Sequence, residues 1–205
     1  MASSENSTQE PPPRSVSGRV RWRRFAILFV PALAAAATLI GLTAEGVLAA
    51  NISVSGSAFE ISSSQLQGTG FVQFGGVVTD AGGHVHPVAI SGIQTATLAD
   101  LCQSVSAGPF VLRLTAGSGG TPVSASNLVV DADQQTGSTA IFHNITIGQD
   151  ASTLTEDPGV VGPVGAFSQQ ASSVTIDNLQ QNTWLTTAGT FTLPGLSLSF
   201  GKLCY

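Results

Sequence analysis

The sequence predicts an all-β domain of stacked, bent strands, β-jellyroll or sandwich-like, preceded by one N-terminal hydrophobic helix. Three observations predict it. One six-residue phrase (apolar, any, apolar, any, then Asp, Asn or Gly, then Leu or Ile) recurs five times, at 96–101, 123–128, 140–145, 174–179 and 191–196. Its middle apolar residues Ala125, Phe142, Ile176 and Leu193 are spaced by 17, 34 and 17, while Leu98 to Ala125 is 27 and breaks the rule. Gly, Ser and Thr punctuate residues 51–205, and no stretch there holds a capped 3.6-residue period.

The phrase carries its own geometry. Alternation makes its first three positions a strand with one buried face. The fifth position takes only residue types that tolerate a left-handed backbone. A bend or bulge there returns the sixth residue to the same apolar face. Regular spacing suggests units that each bury a face against the next; an antiparallel sandwich is the alternative.

Along the chain, residues 1–24 read as a disordered, basic cytoplasmic segment rich in Ser, Pro and Gln. Residues 25–50 read as a transmembrane anchor or signal peptide. Its core of twenty uncharged residues, Phe25 to Ala44, rises about 30 Å as a helix, enough to cross a bilayer. The preceding arginines place residues 51–205 outside the cytoplasm, at the cell membrane or secreted. A signal peptidase would cut after Ala49 or Ala50. Strands are expected near 52–62, 70–79, 86–98, 110–116, 122–131, 138–148, 172–180 and 184–200. Breaks fall at Gly82-Gly83 and at Gly117 to Gly120. A long Pro/Gly loop runs from Asp150 to Gln170, placed to guard an open edge of the stack.

Charge and cysteine usage narrow the functions. Residues 51–205 hold Arg113 and Lys202 against nine carboxylates, a net of −7. Such a domain does not neutralise a phosphate backbone, which excludes nucleic acid as a partner. Cys102 and Cys204 are expected to form one disulfide in an exported domain; two buried thiols are the alternative.

No catalytic signature is found. The Gly-x-Ser-x-Gly elbow of the α/β-hydrolases does not occur; Gly195-Leu196-Ser197-Leu198-Ser199 lacks the second glycine. His84 and His86 share one side of a strand, and with His143 they would supply three nitrogens. No local carboxylate or cysteine completes a metal set, so no metal or other cofactor is assigned. Asp131-Ala132-Asp133 lacks the ligands of a calcium loop. Trp184 and the phenylalanines at 59, 71, 74, 110, 142, 167, 191 and 200 read first as core. If the stack is open on one side, its apolar faces line a groove, with Phe142, Ile176 and Leu193 as lining and Arg113 at the mouth to hold an anionic headgroup. Arg113 also reads as an outward strand charge.

The phrases RRFAILFVP (23–31), GTGFVQFG (68–75), HPVAISG (86–92), LCQSV (101–105), LRLTAG (112–117), FHNITIG (142–148), GAFSQQA (165–171), TTAGTFTLPGL (186–196) and the terminal Cys204-Tyr205 resemble a family of uncharacterised actinobacterial cell-envelope proteins. Some members carry an automatic cholesterol esterase label. The missing elbow leaves no catalytic residue to carry over. In its repeated strand-and-bend units the chain also resembles, by architecture alone, the membrane-anchored β-jellyrolls of periplasmic lipid transport. Together these readings lead to the expectation of a non-catalytic envelope protein. It would hold an apolar or lipid ligand or a membrane partner, joined to the membrane by its N-terminal helix; any protein partner is left unnamed. A ligand-free structural or interaction module and a lipid-ester hydrolase are the alternatives.

Overall fold

The computed structural model describes residues 55–205. The expectations for 1–24 and 25–50, with the N-terminal helix and the cleavage positions Ala49 and Ala50, lie outside the described residues. The described part is all-β. Its ten strands are β1 (Phe59–Thr79), β2 (Val85–Ala99), β3 (Leu101–Ala107), β4 (Phe110–Ala116), β5 (Val123–Thr136), β6 (Thr139–His143), β7 (Thr146–Asp150), β8 (Phe167–Thr187), β9 (Thr190–Thr192) and β10 (Ser197–Phe200). All pair antiparallel in one sheet.

The recurring phrase is the bending device of this sheet. Asp100, Asn127, Asn144 and Asn178 have φ between 47° and 53°, and they are the only non-glycine residues of positive φ among those described; Gly195 has φ 65°. These are the fifth positions of the five copies. The left-handed residue is unpaired at its level of the ladder: Asn178 faces Ser64, between the pairs Gln65↔Asp177 and Ser63↔Leu179. Stepping past it inverts the alternation, so that Ala96, Leu98 and Leu101, then Val123, Ala125 and Leu128, then Val174, Ile176 and Leu179 all enter one core. In the other two copies, Phe142 and Leu193 pack against that core, while Ile145 and Leu196 stay exposed.

A sixth copy, Leu66-Gln67-Gly68-Thr69-Gly70-Phe71, lies inside β1, where Gly70 has φ 66°. Its third position is a glycine for want of space: a Cβ on Gly68 would stand 2.5 Å from Ile93 Cγ2. That glycine hides the copy from a search for apolar alternation. Residues 63–69, read as a gap between strands, are therefore the continuous middle of a 21-residue strand.

The ladders close on themselves. β1 pairs β2, β2 pairs β5, β5 pairs β8, and β8 returns to β1. Following one set of partners, Gly75–Ala89–Ala132–Thr183–Phe59, leads back to β1 sixteen residues before the start. Trp184, which the β5–β8 register skips at that point, makes up the seventeenth. So large a stagger over four strands sets them steeply oblique to the barrel axis, and each strand winds round the core. The 17-residue spacing of Asn127 to Asn144 and of Asn178 to Gly195 is one such turn.

Several expected boundaries move. β3 occupies residues expected to be irregular, and β8 begins at Phe167, inside the expected loop. The loop proper, 151–166, opens with a 3-10 turn at Ala151–Thr153. It packs on the outer face of the barrel rather than at an edge. There Ala151 and Leu154 cover Val72 and Phe74, with Ile90, Val160 and Ala166 around them. β1 is apolar on both faces at Phe71-Val72-Gln73-Phe74, so the outward pair needs this cover. Phe110, Phe167 and Phe200, expected in the core, are 63%, 65% and 76% exposed.

Candidate functional site

The inward faces of the ring do not fill its interior. A cavity of about 270 Å³ remains, walled by Leu66 and Phe71 of β1, Ile93 and Leu98 of β2, Leu128 of β5, and Ile176 of β8. One end is polar: Gln103, Gln135 and Gln181 line it, with Gln181 Nε2 donating to Gln135 Oε1 at 3.0 Å. Thr186 also lines the cavity, and its buried hydroxyl has no hydrogen-bond partner. The interior is thus an apolar chamber with a few convergent polar groups at one end, the usual composition of a small-molecule site.

Gln103 belongs to two hollows. Beyond it, a second hollow of about 320 Å³ is bounded by Ser55, Phe59, Val105, Leu112, Leu114 and Leu198. It lies on the sheet that β3, β4 and β10 extend past the ring, in the order β10–β4–β3–β1. Registers Gln103↔Leu114 and Val105↔Leu112, with Leu198↔Leu114 and Phe200↔Leu112, put these side chains on the face that also carries Leu101 and Ile61. The apolar interior therefore continues onto an open flap.

The reverse of the flap holds the disulfide. Cys102 and Cys204 are bonded, 102 residues apart in sequence. The Cys204 backbone N–H donates to Ser104 Oγ at 3.0 Å and to Glu60 Oε2 at 3.1 Å, and Ser104 Oγ donates to the same carboxylate oxygen at 3.0 Å. These contacts fix the segment after β10 to the ring. Arg113, paired with Ser104 and Ser199, is on this side as well, its Nε 3.2 Å from Cys102 Sγ.

The four groove residues expected from sequence are thus separated. Ile176 lines the cavity. Phe142 and Leu193 are half-buried against the core around it, Phe142 with its ring 5.3 Å from that of Phe71. Arg113 faces away from both hollows. Sequence reasoning missed Gln103, Gln135 and Gln181; glutamine in an alternating strand gives no sign of facing inward.

The histidines form a different feature. Asp80 closes the β1–β2 hairpin: its Oδ1 accepts from the backbone N–H groups of Gly82 and His84 at 2.8 and 2.9 Å. Its Oδ2 stands 3.0 Å from His84 Nδ1 and 3.2 Å from His86 Nε2. The backbone N–H of His84, with both imidazoles, holds the Asp80 carboxyl well below the usual carboxylate range. The His86 ring stacks on Trp184 at 3.7 Å, and Trp184 Nε1 donates to Asp133 Oδ2 at 2.9 Å. His143 is on β6, paired with Ser173, apart from this cluster. Among the described residues no group of three or more His, Cys, Asp or Glu side chains is placed to hold a metal ion, and the hydrogen bonds of the histidine rings go to Asp80.

Two further carboxylates are buried without full partners. Asp157, in the loop, sits over Gly92, where a Cβ would come 2.8 Å from its Oδ2; burial raises its pKa. Asp131, 8% exposed, has Oδ1 unsatisfied, and burial pushes its carboxyl up to about 6 from 3.8. A carboxyl raised in the folded state contributes stability that is full below pH 4 and lost as pH rises through 6. Asp131→Asn is expected to stabilise the domain by about 2 kcal/mol above pH 7 and to change little at pH 4. Urea unfolding of both forms at the two pH values checks this, and an equal effect at both would place the cause elsewhere.

The fold and site define a small all-β domain whose closed, bent sheet surrounds an apolar chamber that continues onto an open flap. Residues 55–205 match the model of DUF6230, a family of unknown function, and the chain belongs to that family. This agrees with the uncharacterised family expected from the phrases. Neither the curated proteins nor the solved structures contain a match to the chain.

Proposed function

We propose that the domain is a non-catalytic binder of an amphipathic, lipid-class molecule. The apolar part of the ligand occupies the ring cavity, and its polar group meets Gln103, Gln135 and Gln181. The observation that carries this reading is a cavity of about 270 Å³ left open by large aliphatic side chains, with three glutamines among its lining. Protein interiors pack with few voids larger than a water molecule. Apolar walls left facing water forgo the burial free energy that a bound apolar group would supply, a cost to the empty state. A ligand offsets that cost; a closed structural module has no use for it. The jellyroll-like reading of the bent strands is supported by the left-handed corners and the 17-residue turn. In this reading the domain works on the outer side of the membrane, delivered there by residues 25–50.

Ala188 lines the cavity between β8 and β9, and enlarging it fills space without deleting a contact. Lipid extracted with the full chain from its native membrane is expected to appear in mass spectrometry at near one molecule per chain. Ala188→Leu is expected to lower that occupancy, and the affinity for a fluorescent fatty-acid analogue, at least tenfold while leaving the melting temperature unchanged or higher. Absence of lipid from the native protein, together with no probe binding, would overturn the reading.

A further inference from the structure

We propose that the Cys102–Cys204 bond is a thiol-responsive latch on the flap. A dithiol opens it by attack on Cys204, and Cys102 leaves as a thiolate held by Arg113. The proposal does not depend on what either hollow binds.

The guanidinium is the first observation. Arg113 is the one arginine of residues 55–205, and it is half-buried. Its Nε–H is directed at Cys102 Sγ, 3.2 Å away. Among the described residues the ion pairs are those of Asp80 with His84 and His86, so Arg113 takes part in none. A neutral disulfide sulfur gains little from a neighbouring cation. The thiolate formed when the bond breaks gains a charge-assisted hydrogen bond, so the contact favours the opened state.

The two sulfurs stand in different fields. Glu60 of β1 faces the other half of the bond: its Oε2 accepts from the Cys204 backbone N–H at 3.1 Å and from Ser104 Oγ at 3.0 Å. A carboxylate beside Cys204 disfavours a thiolate there, whereas the guanidinium favours one at Cys102. Exchange runs fastest when the better-stabilised sulfur leaves. Burial sets the same direction. Cys102 is 7% exposed, while Cys204 is half-buried after the last strand, so an incoming thiolate meets Cys204 first.

The step balances as ordinary thiol–disulfide exchange. One thiolate of the dithiol bonds to Cys204 Sγ as the Cys102–Cys204 bond breaks, and the electron pair goes to Cys102 Sγ. The second thiolate then displaces Cys204 from the mixed disulfide. The dithiol departs as its own disulfide, having supplied two electrons; its two protons pass to the cysteines or to water. What the opened bond releases is the end of the flap. β10 has β4 as its strand neighbour, and past it the Gly201 N–H donates to the Val111 carbonyl at 3.0 Å. Leu198 of β10 bounds the second hollow, so loosening β10 removes part of its wall.

The test treats the full chain, in detergent at pH 7, with dithiothreitol. Reduction is expected to outpace global unfolding, with hydrogen exchange rising at 196–205 and β8 still protected. Arg113→Gln should slow reduction about fivefold, and Arg113→Lys, which keeps the charge, should recover most of the rate. Glutathione, a monothiol, should leave its mixed disulfide on Cys204 in peptide maps. In the reduced protein the pH midpoint for alkylation of Cys102 by iodoacetamide should rise about one unit in Arg113→Gln, which a merely structural arginine would not cause. Glutathione found on Cys102, equal reduction rates with and without the guanidinium, an unmoved alkylation midpoint, or reduction no faster than unfolding would each overturn the proposal.

Discussion

Replacing Cys102 and Cys204 by serine is expected to lower stability by up to about 5 kcal/mol, the chain-entropy value for a loop near 100 residues. For a domain of this size that is a fall in melting temperature of roughly 10–20 °C. The structure gives the loss a location. The four-residue β10 has one strand neighbour, β4, and the segment after it is held by the disulfide together with Glu60 and Ser104. Short terminal strands fray when nothing ties them down. Hydrogen exchange at 196–205 should therefore rise far more than at β8, and Leu198 and Phe200 should leave the flap. Circular dichroism of the full chain in detergent gives the melting temperature. A shift below about 3 °C, with 196–205 still protected, would show that β10 holds without the bond.

The second large effect is expected at the Asn178 corner. Leu179 is 1% exposed, and Leu179→Ala should cost about 3 kcal/mol, the usual range for emptying a packed aliphatic site. Its neighbour tests why the leucine is there at all. Asn178 has φ 50°, a conformation open to glycine and costly for a β-branched residue. Asn178→Val should cost about 2 kcal/mol, whereas Asn178→Gly should stay within about 0.5, losing an exposed hydrogen bond to Ser138 Oγ. Chemical denaturation of the three variants separates these outcomes. A neutral Asn178→Val would mean that the corner does not need a left-handed residue.

The corners were legible because each is a local statement. Asp, Asn or Gly at a fixed place after two alternating apolar residues states both a left-handed backbone and the face of the next side chain. All five copies adopt that backbone. The copy at Leu66 to Phe71 was missed because crowding by Ile93 replaced its marker side chain with glycine, a reason that exists only once β2 lies against β1. Phe74 was read as core and is buried, but the burial of Val72 beside it on the outward face was missed on similar grounds, since their cover comes from a loop about eighty residues away.

The site divides along the same line. Its aliphatic wall was anticipated through Ile176, because that position follows the alternation. Arg113 was one residue out of phase with the cavity: strand parity puts it beside the disulfide, and only the register of β4 on β3 sets that parity. The inward glutamines, and Phe110 and Phe200, which stay exposed although they share the face of Leu112 and Leu114, run against their residue types, so no propensity signals them.

Composition, alternation and the left-handed positions thus determined an all-β domain with one paired set of cysteines, a bent-strand sheet and an uneven charge distribution. Those properties are written in side chains within six residues of one another, or in simple counts. Closure of the ring, the space left inside it and the exposure of the flap were decided by registers between strands up to about 120 residues apart. A one-residue change of register exchanges the faces of a strand, and no local pattern encodes which register wins.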